Sequence, residues 1–258
     1  MYTIDLSGKT AVVFGVANHR SIAWYIAKSL NLAGATVYIT YQNERLRSGV
    51  EKLTAEFPSI HIQECDVSSD QNIENTISSI VNMSNGVIDI IVHSIAFADK
   101  KDLSGNFSET GRKGFQTALE VSAYSLIPIA RYASVFMNEG GSIMSLTFSA
   151  SDRVFPGYNI MGTAKAALEN ETKQLAYELG PKGIRVNALS PGPLDTLSSR
   201  AIHGYVDMKK VQAERSPIQR NITHEEVSAA ALFFASNLST GITGHILPID
   251  GGYQIAGV

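Results

Sequence analysis

Short runs of β-branched and apolar residues alternate along this chain with longer stretches whose apolar positions return every three or four residues. The first pattern predicts buried strands and the second predicts helices that lay one face on a sheet. Read this way, Thr10 to Phe14 is a strand and Ser21 to Leu32 a helix. Thr36 to Thr40, Asn43 to Phe57, His61 to Cys65 and Gln71 to Met83 repeat the pair twice. Ile88 to His93 is an apolar strand, Phe115 to Met137 one long helix, and Ser142 to Thr147 a strand. A helix from Tyr158 to Leu179 stops at Gly180-Pro181, and Ile184 to Leu189 and His245 to Ile249 complete the strands. Strands alternating with helices predict a parallel sheet covered on both faces, a doubly wound α/β fold. With no linker, repeat or low-complexity stretch, residues 1–258 read as one domain.

Composition changes this picture only by exclusion. The chain has 258 residues, 44% of them hydrophobic and 17% charged, which is enough apolar material for a sizeable core. A net charge of −3 without a basic block argues against nucleic acid or an anionic membrane as partner. No apolar run approaches the roughly 20 residues of a membrane span. The start, Met1-Tyr2-Thr3-Ile4-Asp5-Leu6, does not read as a signal peptide, and the single Cys65 fits a reducing compartment, so a cytoplasmic location is expected. The histidines have no metal-ligand spacing, and no metal is expected.

The chemistry gathers at strand ends and in one pair of residues. Tyr158 and Lys165 stand seven positions apart, two turns on one face if both are helical. A phenol near its ordinary pKa of about 10, with a cation nearby to favour its ionised form, can donate to an oxygen that is gaining charge. The first strand runs into Gly15-Val16-Ala17-Asn18-His19-Arg20-Ser21-Ile22. This is either a phosphate cradle at a helix N-terminus, without the usual three glycines, or an ordinary turn with Ser21 as helix cap. Gln42, after the second strand, is neutral and offers no charge to a 2′-phosphate, while Arg45 and Arg47 read as solvated. Asp66, after the third strand, would accept from an adenine amine or cap the next turn. Small residues after the fourth, Ser94-Ile95-Ala96, would let backbone line a cofactor, and His93 reads as structural.

Taken together these stretches resemble the enoyl-acyl-carrier-protein reductases of the short-chain dehydrogenase superfamily. The likeness runs over nearly the whole length. It includes Gly15-Val16-Ala17 with Arg20-Ser21-Ile22-Ala23, Cys65-Asp66-Val67, His93-Ser94-Ile95-Ala96-Phe97-Ala98, and Tyr158-Asn159-Ile160-Met161-Gly162 with Lys165. Gly183-Ile184-Arg185-Val186-Asn187-Ala188 and Asp250-Gly251-Gly252-Tyr253 continue it. Classical short-chain dehydrogenases place Lys four residues after Tyr, where this chain has Gly162, which disfavours a ketoreductase. The resemblance implies a Rossmann-like fold and NADH-dependent reduction of the trans-2 double bond of an enoyl thioester carried on acyl carrier protein, in fatty-acid synthesis. Hydride would reach the β-carbon, charge would build on the thioester oxygen, and Tyr158 would hydrogen-bond that oxygen. Lys165 would hold the nicotinamide ribose. Gly15, Ser21, Ile22, Asp66, Val67, Ile95 and Thr196 match cofactor-contacting positions and Ala98 a substrate-lining one; Gln42, Ser94 and Leu194 are grouped with the cofactor, and Phe148 with the substrate.

Three positions depart from the family pattern. Phe148 stands where many bacterial members carry a second Tyr. Pro191 stands in Ser190-Pro191-Gly192-Pro193 where Ala is usual, and Asp195 replaces an Arg beside the expected pyrophosphate. Phe148 and Asp195 keep a second reading open, a related reductase of specialised metabolism acting on another activated enoyl or carbonyl group; a third, a catalytically weak dinucleotide-binding sensor or scaffold, is opposed by the retention of Tyr158 and Lys165. Residues 194–212 are expected to form a flap over the substrate, and the resemblance implies a homotetramer that uses the helices near Phe115 and Tyr158.

Overall fold

The computed structural model describes residues 3–256 except 198, 200, 201 and 203. Its sheet has seven parallel strands in the order β3-β2-β1-β4-β5-β6-β7. They are β1 (Thr10–Phe14), β2 (Thr36–Tyr41), β3 (Ile60–Glu64), β4 (Ile88–His93), β5 (Met137–Leu146), β6 (Arg185–Pro191) and β7 (Ile246–Ile249). The order reverses between β1 and β4, which opens a crevice at their carboxyl ends.

Apolar runs form these strands because both faces are buried, and successive side chains divide between two cores. Ala11, Val13, Ile90 and Val92 point to one face. There they meet α1 (Ile22–Leu32) and α8 (His224–Ala235) through Ile26, Leu30, Val227 and Phe234; Val50 of α2 (Glu44–Thr54) joins the same core. Val12, Phe14, Ile91 and Ile143 point to the other. They meet α3 (Asp70–Met83), α5 (Leu126–Ala133) and α6 (Ile160–Leu179) through Ile77, Ile129, Leu168 and Leu175.

The structure departs from the sequence reading in three places. The expected long helix from Phe115 to Met137 is α4 (Arg112–Leu119), a π-helical turn Glu120–Tyr124, and α5 ending at Ala133. Met137 already belongs to β5 and pairs with Ile88, ahead of a register shift. The apolar Phe136-Met137 continues a helical period equally well, so periodicity alone does not find the boundary. The helix expected from Tyr158 begins at Ile160, because Asn159 takes a left-handed φ of 35° and breaks the run. Between β6 and β7 stand two helices that the sequence reading did not predict, α7 (Tyr205–Arg215), most of it inside the expected flap, and α8; α8 is fixed by a capping box between Thr223 and Glu226.

Candidate active site

The crevice opens into a cavity of about 480 Å³ lined from the carboxyl ends of β1 to β6 and from α7. At its floor, Gly15 has a φ of 98°, and a β-carbon there would stand 2.1 Å from the Ser94 carbonyl oxygen. Only glycine lets the two strand ends close this tightly. Ser21 sits at the N-cap of α1 but leaves the helix uncapped; its Oγ accepts from Ala17 N and Asn18 N, each at 3.1 Å. The hydroxyl therefore shapes the loop, and the N-terminus of α1, at Ser21 and Ile22, faces the cavity with its first N–H groups uncapped. That arrangement fits a phosphate. Asp66 lines the cavity while one carboxylate oxygen accepts from Ser68 N at 3.1 Å and Ser68 Oγ at 2.9 Å, so it also caps its turn.

Gln42, Val67, Ser94, Ile95, Ala98, Phe148, Tyr158, Lys165, Leu194 and Thr196 line the same cavity. Every site residue singled out from the sequence reaches this one cavity. Asp195 does not line it: its carboxylate pairs with Lys209 Nζ at 2.7 Å on α7. The departure at 195 is thus neutralised outside the crevice. Of the expected flap, Ser198, Arg200, Ala201 and His203 lie outside the described residues.

Tyr158 and Lys165 come together differently from two turns of one helix. Tyr158 precedes the helix, and its carbonyl accepts from Met161 N at 3.0 Å. Its ring packs on Phe148, centroids 5.0 Å apart, and Phe148 packs on Phe155 at 4.9 Å. Gly162 lies against the carbonyl of Ala150, 2.7 Å from where a β-carbon would stand, so no longer side chain fits at that position. The expectation of an ionisation-prone phenol is corrected: burial, and after it the neighbouring Tyr205, hold the Tyr158 pKa above its ordinary value. It stays protonated and can donate. Lys165 is buried on α6 and donates from Nζ to the Leu146 carbonyl at 2.7 Å; desolvation lowers its pKa to about 8, while Glu169 opposes that shift.

His93 is fully buried beneath the site, with Nε2 2.8 Å from Ser125 Oγ, and its pKa falls to about 3, mainly through burial and then through Lys165. It is a neutral structural residue, as expected. Sequence reasoning missed Tyr205 and Met208, which line the cavity from α7. Both fall within residues 194–212, the stretch expected as a flap, but nothing in the sequence marked either one singly.

A switch-point crevice with an open helix N-terminus, a buried lysine and a protonated phenol defines a dinucleotide-binding oxidoreductase site. A family model described as enoyl-(acyl carrier protein) reductase matches residues 15–254, and the chain belongs to that family. The Nostoc enoyl-acyl-carrier-protein reductase (NADH) is 44% identical over 260 residues, covering 99% of this chain and 100% of that protein. The Staphylococcus aureus enzyme, named for NADPH, is 43% identical over 253 residues, covering 97% of this chain and 98% of its own. The Bacillus cereus reductase, solved with NADP+ and an indole naphthyridinone, superposes with a TM-score of 0.95 at 44% identity, covering 98% of this chain and 100% of that one.

Proposed function

We propose that this protein reduces the trans-2 double bond of an enoyl thioester carried on acyl carrier protein, in fatty-acid synthesis, using a reduced nicotinamide dinucleotide. The observation that carries the reading is the protonated Tyr158 phenol and the buried Lys165 lining one crevice whose floor fits a dinucleotide. The cofactor, when bound, supplies the hydride. The residues of this chain do the rest. Gly15, Ser21 and Ile22 receive the pyrophosphate, Asp66 and Val67 the adenine, and Ser94, Ile95, Leu194 and Thr196 flank the nicotinamide half. Lys165 holds the ribose. Tyr158 donates to the thioester oxygen as it becomes an enolate, a donor already aimed where charge develops. Ala98 and Phe148 wall the acyl chain, and Phe148 does so without adding a second donor.

The cofactor is NADH rather than NADPH. Gln42 lines the cavity at the end of β2, and the nearby Arg47 is committed to Glu44 and Glu51 at 3.6 and 2.9 Å. An extra phosphate meets no free cation there except exposed Arg45. The relatives differ on this point, so it rests on these residues. Following NADH and NADPH absorbance in parallel with crotonyl and longer enoyl thioesters tests both statements. No turnover with any enoyl thioester removes the function, and a tenfold preference for NADPH in kcat/KM removes the cofactor assignment.

A homotetramer is proposed on the same reading. Phe115, Tyr124 and Tyr177 leave apolar surface exposed near α4 and on α6, which further copies of the chain would cover; the mass in solution by light scattering tests it. A cytoplasmic setting is supported by the lone, buried Cys65 and by the absence, among the described residues, of any helix long and apolar enough to cross a membrane.

A further inference from the structure

One face of α7 holds the stretch that follows β6. Tyr205 and Gln212 are the buried residues of this helix, seven positions apart. The Tyr205 hydroxyl donates to the Leu194 carbonyl. The Gln212 side-chain nitrogen occupies the space that Gly192 leaves, 2.2 Å from where a β-carbon would stand. Between them on the same face, Lys209 Nζ pairs with Asp195 at 2.7 Å. Positions 205, 209 and 212 fall on one helical face, and all three reach Gly192 to Asp195. From the same helix Tyr205 and Met208 line the cavity. The Tyr205 ring stands close enough to Tyr158 to help hold that phenol protonated.

We propose that Tyr205 is a positioning residue of the reductase: its hydroxyl fixes α7 to the strand-end stretch at Leu194, and so sets the wall that α7 presents to the acyl chain. Phe148 brings a ring and no hydroxyl to the site, so this anchoring hydroxyl comes from α7 and acts through the backbone rather than on the reacting atoms. The inference rests on the functional reading above, but its structural half does not depend on turnover.

Tyr205→Phe removes the hydroxyl and keeps the ring. Losing one neutral hydrogen bond is expected to raise KM for the enoyl thioester about five- to tenfold, and to lower kcat by a smaller factor. The amides of Leu194 to Thr196 should exchange with solvent about fivefold faster or more, in the protein without substrate, because the bond that holds them is gone. Wild-type KM and wild-type exchange in the variant overturn the proposal. A fall in kcat at unchanged KM also overturns it, since the hydroxyl would then act on the reacting oxygen. Should Tyr205→Phe melt below the assay temperature, both readouts are taken for the variant and the wild type at a lower temperature where the variant is folded, and unchanged values there overturn the proposal. If the wild type itself reduces no enoyl thioester, the functional reading fails, and the exchange experiment alone decides the anchoring role.

Discussion

At the scale of single residues, Tyr158 and Lys165 are separable in role. Tyr158 is a protonated donor packed between Phe148 and the cavity, whereas Lys165 is tied to Leu146. Tyr158→Phe leaves the ring contact and removes the donor proposed for the enolate oxygen. Turnover is expected to fall about 10²–10³-fold, with NADH binding within about threefold of wild type on the scale where tenfold is 1.4 kcal/mol. Lys165→Ala is expected to do the reverse in emphasis, weakening NADH by roughly tenfold or more as a charge-assisted bond to the ribose is lost. Fluorescence titration beside single-turnover kinetics distinguishes them; a near-wild-type rate for Tyr158→Phe would overturn the donor role. Residue identity made this pair legible from the sequence. The protonation state was not, because it depends on burial and on Tyr205, forty-seven positions away along the chain.

At the scale of elements, α6 owes its position to a glycine. Helix propensity alone favours Ala over Gly by about 1 kcal/mol. At Gly162, however, a β-carbon would stand 2.7 Å from the Ala150 carbonyl, a backbone atom that cannot swing aside as a side chain would. Overpacking of this kind costs about 1–3 kcal/mol, so it outweighs the propensity gain. Gly162→Ala is expected to lower the unfolding free energy, read from urea melts, by a net of about 1 kcal/mol and to reduce activity by moving α6 away from the end of β5. A more stable variant would show that the approach is not tight. The pattern of hydrophobic positions placed α6 and every strand to within two residues, except the start of β5, which lies five residues earlier than expected. It ran past the break after Ala133 because a buried strand start and a helix end carry the same apolar residues, and Met137 is decided only by its pairing with Ile88.

At the scale of the whole molecule, two buried bases make stability and activity depend on pH. His93 has a folded pKa of about 3 against an ordinary 6.5. As pH falls through that window the unfolded chain takes up a proton that the folded state refuses, so stability is lost on the acid side. Between pH 6.5 and 5 this amounts to about 2 kcal/mol, and His93→Gln should flatten the slope in urea melts across that range. Lys165, lowered from 10.5 to about 8, works in the same direction in its own, alkaline window. Between 8 and 10.5 the unfolded state binds the extra proton, so its contribution to stability rises with pH, while the charge needed in the site is lost above about 8. The profile of kcat/KM for the cofactor is expected to fall as pH rises through about 8, because that ratio reports groups of the free enzyme. A flat profile from 7 to 10 would remove Lys165 as the titrating group.

The sequence by itself determined the alternation of strands and helices, the crevice end of the sheet, and a set of residues from Gly15 to Thr196 that line one cavity. These follow from local chemistry: side-chain period, a glycine at a strand end, a phenol and an amine at fixed spacing. The tertiary structure alone decided that Asp195 turns to Lys209, that Ser21 holds its loop instead of capping α1, and that Tyr205 joins the cavity. Each of those depends on a partner brought close by packing. Spacing along the chain records which groups can act; distance through the fold fixes their charge, their hydrogen bonds and the atoms they face.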